Sequence, residues 1–253
     1  MTGRICVITG ASGGIGRQVC KRFIQNGDHV VMVDISKEKL DEMVDTYGLH
    51  PQIATPMELD ISKEEAVREK IDEIVDRFSA IDVLVNTAGI CGRYDRVVDQ
   101  SFEQFQKIYE VNVFGTFLMM KYVLKQMEKQ GRGCIVNFGS VSGMRGYSYE
   151  IAYGSSKWAV IGMSQTVANE YGLKGIRCNS VSPGWVDTCM MEKTKSEYEH
   201  INPGHADELI DLGPSGRAAR PEEIADVVYY LCGENASYIN GANIVIDGGK
   251  TTG

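Results

Sequence analysis

Tyr153 and Lys157 stand four residues apart in a run of helical pattern, so both side chains project from one face. A free phenol is a poor base near neutrality, with a pKa of about 10. A neighbouring ammonium favours the phenolate. Lowering the pKa by about 2–3 units takes about 3–4 kcal/mol of differential stabilisation. One close cation in a partly dry site supplies much of that at an effective dielectric near ~20. Ser140 closes an apolar run upstream of Tyr153, where its hydroxyl can donate to a substrate oxygen as negative charge develops. Tyr-x-x-x-Lys alone usually marks a packing tyrosine beside a solvated lysine. Here it follows Asn112, Ser140 and a glycine-rich segment in order, which turns the pair into a candidate acid/base. Ser142 reads as a turn or helix-start residue rather than a second catalyst.

That glycine-rich segment is Thr9-Gly10-Ala11-Ser12-Gly13-Gly14-Ile15-Gly16, directly after the first apolar run. Gly10 allows a tight turn, Gly14 lets backbone approach a pyrophosphate, and Gly16 lets the following helix pack on the strand. Free N–H groups and the dipole at that helix start attract phosphate. Ser12 and Ile15, between the glycines, count with them as cofactor contacts. The second apolar run ends in Asp34, a carboxylate suited to both ribose hydroxyls of NAD. It would repel the 2′-phosphate of NADP. Neither Ile35 nor Gly13 offers a cation to rescue that phosphate, and Arg17 is expected to face solvent or a carboxylate. The expected cofactor is NAD (NADH), whose positive nicotinamide ring also favours the Tyr153 phenolate.

These residues need elements to hold them. Stretches 4–9, 29–34, 81–86, 134–140, 176–182 and 243–247 read as strands, with a weaker one near 52–59. They are apolar throughout, the pattern of strands buried on both faces. Helices are predicted over about 14–26, 37–47, 63–79, 102–130, 151–172 and 221–232. Ser36, Ser62 and Ser101 take N-cap positions, Ser62 forming a capping box with Glu65. The alternation implies an α/β, Rossmann-like, doubly wound fold. Its mostly parallel sheet has seven strands with helices on both faces, in one domain over residues 1–253. Residues 189–217 are polar, carry three glycines and show no clear period, so they are expected to form a loop serving as a substrate lid.

Composition narrows the partners. The net charge of −8 argues against nucleic acid or an anionic membrane, which need a basic face. Seven scattered cysteines without a Cys-x-x-Cys pair point to free thiols and a reducing compartment. Four histidines form no metal-ligand spacing, so no metal site is expected. No apolar stretch approaches the ~18 residues of a span and no basic segment precedes a signal core. The expected location is cytoplasmic.

Taken together, these motifs resemble the short-chain dehydrogenase/reductase family in its compact form. The resemblance rests on the glycine pattern of Thr9-Gly10-Ala11-Ser12-Gly13-Gly14-Ile15-Gly16, Asn86-Thr87-Ala88-Gly89, Asn112, Ser140, Tyr153-x-x-x-Lys157 and Pro183-Gly184-Trp185-Val186-Asp187-Thr188. It implies that Asp60 and Ile61 contact the adenine end. Asn86, Ala88 and Gly89 would shape the wall beside the adenosine ribose, with Val111 near the nicotinamide. Pro183, Gly184, Val186 and Thr188 would hold the carboxamide. Lys157 would also bind the nicotinamide ribose, and Asn112 would hold a water linking Lys157 to solvent. Thr87 stands where the family usually has asparagine, and Gly139 where serine is frequent.

The activity implied is interconversion of a secondary alcohol and a ketone, with Tyr153 as acid/base. Arg93, Tyr94, Met144, Tyr147, Tyr149, Trp185, Met190 and Met191 are expected around the mouth. Aromatic and methionine side chains there point to an apolar or cyclic substrate such as a hydroxysteroid. One alternative is reduction of a 3-oxoacyl group on a carrier protein, with Lys125, Lys129, Arg132 and Lys174 as a docking patch. Another is an NAD-binding regulator without turnover. The resemblance also implies a homotetramer, with Phe102, Phe105, Phe114, Phe117 and Met120 on an interface or in the core.

Overall fold

Valine, isoleucine and methionine fill the strands, and the sheet they form is buried from both sides. The computed structural model describes residues 3–206 and 210–252. Seven strands run β1 (Ile5–Thr9), β2 (His29–Asp34), β3 (Ala54–Glu58), β4 (Val83–Asn86), β5 (Gly133–Phe138), β6 (Ile176–Pro183) and β7 (Asn243–Ile246). They form one sheet in the order β3-β2-β1-β4-β5-β6-β7, and every pairing is parallel. The order reverses between β1 and β4. A crevice opens there at the carboxyl ends of the strands, and both the glycine-rich loop and Thr87-Ala88-Gly89 leave the sheet at this point.

Among the described residues eight α-helices cover it: α1 (Gly14–Gln25), α2 (Lys37–Tyr47), α3 (Glu64–Phe78), α4 (Phe102–Tyr109), α5 (Thr116–Gln130), α6 (Ile151–Tyr171), α7 (Cys189–Ile201) and α8 (Pro221–Leu231). Alternate strand residues divide the core. Val7, Val31, Leu84 and Ile135 pack with α3, α5 and α6. Cys6, Val30, Val85 and Val136 pack with α1, α2 and α8.

Three local expectations are corrected. The stretch 102–130 is not one α-helix, because a π-helical turn at Glu110–Gly115 joins α4 to α5. Ser62 does not cap α3. Lys63 takes that position without a side-chain hydrogen bond, because the Ser62 hydroxyl donates to Asp60 Oδ1 at 2.7 Å. The first part of the expected lid is helix α7, which buries only Met191, Thr194 and Tyr198. So thin a stripe, two of its three members polar, leaves little periodic signal in the sequence. Within that segment, residues 207–209 lie outside the described residues. Ser36 and Ser101 do cap α2 and α4.

Candidate active site

The cofactor end is built on close approach. Gly10 has φ +63°, and a Cβ there would lie 2.8 Å from Ala88 Cα. A Cβ on Gly16 would strike the Gly10 carbonyl oxygen, and one on Gly14 would sit 2.6 Å from Thr188 Cγ2. Helix α1 has Gly13 at its N-cap, with no side-chain cap and no acidic residue in its first turn, which leaves its leading N–H groups open to an anion. The residues therefore fit a dinucleotide pyrophosphate. Ile15 lines the cleft beside it.

Asp34 stands at the end of β2 with more than one duty. Its Oδ2 accepts from Ser12 N (2.9 Å) and Ser12 Oγ (2.8 Å), and Oδ1 accepts from Ser36 N (3.2 Å). The carboxylate thus ties the glycine loop to the start of α2, and a carboxylate still has acceptor capacity for ribose. Asp60 Oδ1 closes a turn on Ser62, and Ile61 is buried against Gly115. Ile61 can therefore serve the cleft only through its backbone. Asn86 turns inward too, its Nδ2 donating to Asn137 Oδ1 at 2.9 Å. Its side chain locks β4 to β5 rather than lining the ribose wall. Thr87, in place of asparagine, donates its hydroxyl to the Thr9 carbonyl.

At the reacting end, Ser140, Tyr153 and Lys157 meet in one cleft, which has a volume of about 150 Å³. Ser140 follows β5, and its side chain hydrogen-bonds with Tyr153. Lys157 Nζ lies 5.6 Å from the Tyr153 ring centroid and donates to the Phe138 carbonyl at 2.9 Å. Burial pushes the Lys157 ammonium down to about 8. Burial also pushes Tyr153 up, reinforced by Glu150 and Cys91 and opposed by the Ser140 hydrogen bond. The expected lowering of Tyr153 by the lysine is not realised in the chain's own arrangement. The lysine is itself desolvated, and one of its three donors is directed at the Phe138 carbonyl rather than at Tyr153.

Asn112 sits in the π-turn with its side chain committed. Oδ1 accepts from Ile90 N at 2.8 Å, while Nδ2 donates to Ile90 O at 2.9 Å and Ser156 Oγ at 3.0 Å. A Cβ on Gly89 would lie 3.2 Å from Asn112 Oδ1 and 3.3 Å from Lys157 Nζ. Asn112 and Lys157 therefore flank the same bare stretch of backbone. Pro183, Gly184, Val186 and Thr188 form the opposite rim. Ser142 belongs to a 3-10 turn, as its sequence position implies.

A family model described as enoyl-(acyl carrier protein) reductase matches residues 10–251. A 3-oxoacyl-[acyl-carrier-protein] reductase of Thermotoga maritima is 36% identical, covering 98% of both chains. The 2-(R)-hydroxypropyl-CoM dehydrogenase of Xanthobacter autotrophicus is 37% identical, also covering 98% of both. The chain belongs to the short-chain dehydrogenase/reductase family.

Solved members of the family match throughout. ElxO with NADP bound superposes with a TM-score of 0.91 at 34% identity, covering 100% of both chains. NAD+-bound xylitol dehydrogenase gives 0.91 at 32% identity and 98% of both. This short-chain dehydrogenase/reductase lines its substrate cleft with Tyr94, Tyr147, Trp185, Met190 and Met191, five of the expected mouth residues. Arg93, Met144 and Tyr149 are not among the lining residues.

Two charged lining residues escaped the sequence reading: Glu150, three positions before Tyr153, and Lys250, near the end of the chain. For Glu150 a signal existed, since a residue three before Tyr153 shares its helical face. For Lys250 none did, because its place depends on a turn after β7.

Proposed function

We propose that this enzyme is an NAD(H)-dependent oxidoreductase interconverting a secondary alcohol and a ketone. The observation that carries the reading is the convergence of Ser140, Tyr153 and Lys157 on one cleft beside an uncapped helix start. Bound NAD would supply the hydride acceptor in oxidation and, as NADH, the donor in reduction. Gly10, Gly14, Gly16, Asp34, Ala88, Gly89, Lys157 and the Pro183–Thr188 rim would hold it. The substrate oxygen lies between the Ser140 and Tyr153 hydroxyls. Tyr153 takes the alcohol proton in oxidation and returns it in reduction. Ser140 donates to the oxygen as it gains negative charge. The Lys157 ammonium stabilises the phenolate that this exchange creates.

Asp34 supports NAD over NADP, since its carboxylate occupies the end of β2 and exposed Ile35 follows it. The 3-oxoacyl reductase of Thermotoga maritima favours a second reading, in which the ketone is carried on an acyl-carrier protein. The proposed docking patch is largely committed elsewhere. Lys174 pairs with Glu128 and Arg132 with Asp82, while Lys125 lies over the Tyr122 ring. An intact Ser140–Tyr153–Lys157 set likewise weighs against a regulator without turnover. We further propose a cytoplasmic homotetramer, and all seven cysteines stand as free thiols. No helix among the described residues is long and apolar enough to cross a membrane.

The test is NADH absorbance with NAD or NADP and a panel of secondary alcohols, with Tyr153→Phe as control. The expected result is turnover with NAD at least tenfold better than with NADP, lowered by about 10²-fold or more in Tyr153→Phe. Preference for NADP would overturn the role given to Asp34. Full activity in Tyr153→Phe would overturn the mechanism.

A further inference from the structure

We propose that the cleft takes a polyhydroxylated substrate, a vicinal diol or sugar alcohol, and that Glu150 and Lys250 select it. This rests on the alcohol–ketone oxidoreductase reading.

Glu150 immediately precedes α6 and is 9% exposed. It lines the cleft three residues from Tyr153, so a group it binds is a neighbour of the reacting oxygen. One carboxylate oxygen accepts from the Tyr198 hydroxyl at 3.2 Å. The other is buried without a well-formed hydrogen bond, and only the Ser142 side chain stands near enough to ease its charge. A carboxylate offers about four acceptor sites, and leaving them unmet in a dry place is costly.

Lys250 has the complementary deficit. Its ammonium stands 5.0 Å from the Tyr147 ring centroid and 5.2 Å from that of Trp185. It has no ion-pair or hydrogen-bond partner among the described residues. It feels Glu150, Asp211 and Asp247 only at a distance.

The lysine is held in place by its backbone. Asp247 accepts from Gly249 N (2.9 Å), Thr251 N (2.8 Å) and Thr251 Oγ1 (2.7 Å). Arg145 fastens the same turn by donating to the Thr251 carbonyl at 2.6 Å. Gly213 leaves the room it needs, since a Cβ there would sit 2.7 Å from Lys250 N.

A hydroxyl is the neutral group that meets both needs, donating to Glu150 and accepting from Lys250. The aromatic walls, with Tyr94 and Tyr198 4.8 Å apart, suit the C–H faces of a carbon chain or ring. A wholly apolar occupant such as a steroid would bury both charges without partners. A carboxylate substrate would satisfy Lys250 but face Glu150. The observations therefore favour hydroxyls over the apolar substrate that the aromatic residues alone had pointed to.

The experiment uses minimal pairs with NAD: cyclohexanol against cis-cyclohexane-1,2-diol, and 2-butanol against 2,3-butanediol and 2-hydroxybutanoate. Each diol is expected to exceed its mono-alcohol in kcat/KM by about tenfold or more, the worth of a charge-assisted hydrogen bond. Glu150→Leu and Lys250→Met should each shrink that ratio, and together bring it near one. NADH titration of every variant verifies that it is folded. Equal turnover of diol and mono-alcohol by the unsubstituted enzyme overturns the inference alone. So does a ratio that neither substitution moves, or a preference for 2-hydroxybutanoate that Lys250→Met abolishes. Absence of turnover with every alcohol, alongside normal NADH binding, overturns the oxidoreductase reading and the inference with it.

Discussion

Lys157 carries an ammonium where water hardly reaches, and the consequences follow from that one residue. Burial pushes it down to about 8, against about 10.4 for an unperturbed lysine. Between those values the unfolded chain binds more protons than the folded one, so this group's contribution to stability rises with pH across the window. Below pH 8 the folded protein bears the full cost of the buried charge. Lys157→Met should therefore be inactive yet melt no lower than the unsubstituted enzyme at pH 7. Any advantage should shrink as pH approaches 10. Thermal unfolding at both pH values checks this, and a loss of stability larger at pH 7 than at pH 10 would contradict it. The same cost explains why such a lysine belongs to function, since a residue chosen for stability would not be charged there. Sequence spacing sufficed to pair Tyr153 with Lys157. The direction of their shifts was not legible, because it depends on how completely β5, α6 and the Pro183–Thr188 rim exclude water.

At the scale of elements, the π-turn at Glu110–Gly115 is the device that turns Asn112 inward. An extra residue in the turn changes the phase of the helix, and Asn112 then reaches Ile90 and Ser156. Truncation to Asn112→Ala leaves the Ile90 N–H and C=O and the Ser156 hydroxyl short of partners. A destabilisation of about 2–4 kcal/mol is expected. That corresponds to a fall in Tm of roughly 4–16 °C at about 2–4 °C per kcal/mol. kcat should fall as well, because Ile90 and Ser156, the chain neighbours of Gly89 and Lys157, lose their shared brace. Unchanged Tm would mean that the asparagine is no brace. Most element boundaries were readable because buried strands and amphipathic helices carry strong periodic signals. The π-turn was not, since its residues continue the surrounding helical pattern. Helix α7 was hidden by its thin stripe, and Asn86 by a buried polar pairing with Asn137 that only strand register reveals. Local hydrogen bonding took Ser62 away from its capping position.

For the whole molecule, two separate apolar surfaces remain uncovered. Phe102, Phe114, Phe117, Ile151 and Trp158 are exposed on the face built by α4, the π-turn, α5 and α6. Phe105 is half-buried and Met120 lies in the core, so the sequence pattern mixed surface and interior. At the far end, β7 pairs only with β6 among the described strands, and exposed Leu173, Tyr238 and Val245 lie towards that edge of the chain. Scattered exposed apolar residues are ordinary, but grouped aromatics and an unprotected sheet edge are surfaces that proteins usually cover. Two independent self-complementary patches on one subunit are what a dihedral tetramer requires, each generating a different two-fold contact. The expected outcome in sedimentation is a tetramer for the unsubstituted chain. Phe114→Glu with Phe117→Glu should remove one contact and leave dimers, and Val245→Glu should remove the other. All three changes together should give monomers. A wild-type monomer would refute the assembly outright, whereas dimers unaffected by Val245→Glu would show that the sheet edge is not a contact between subunits.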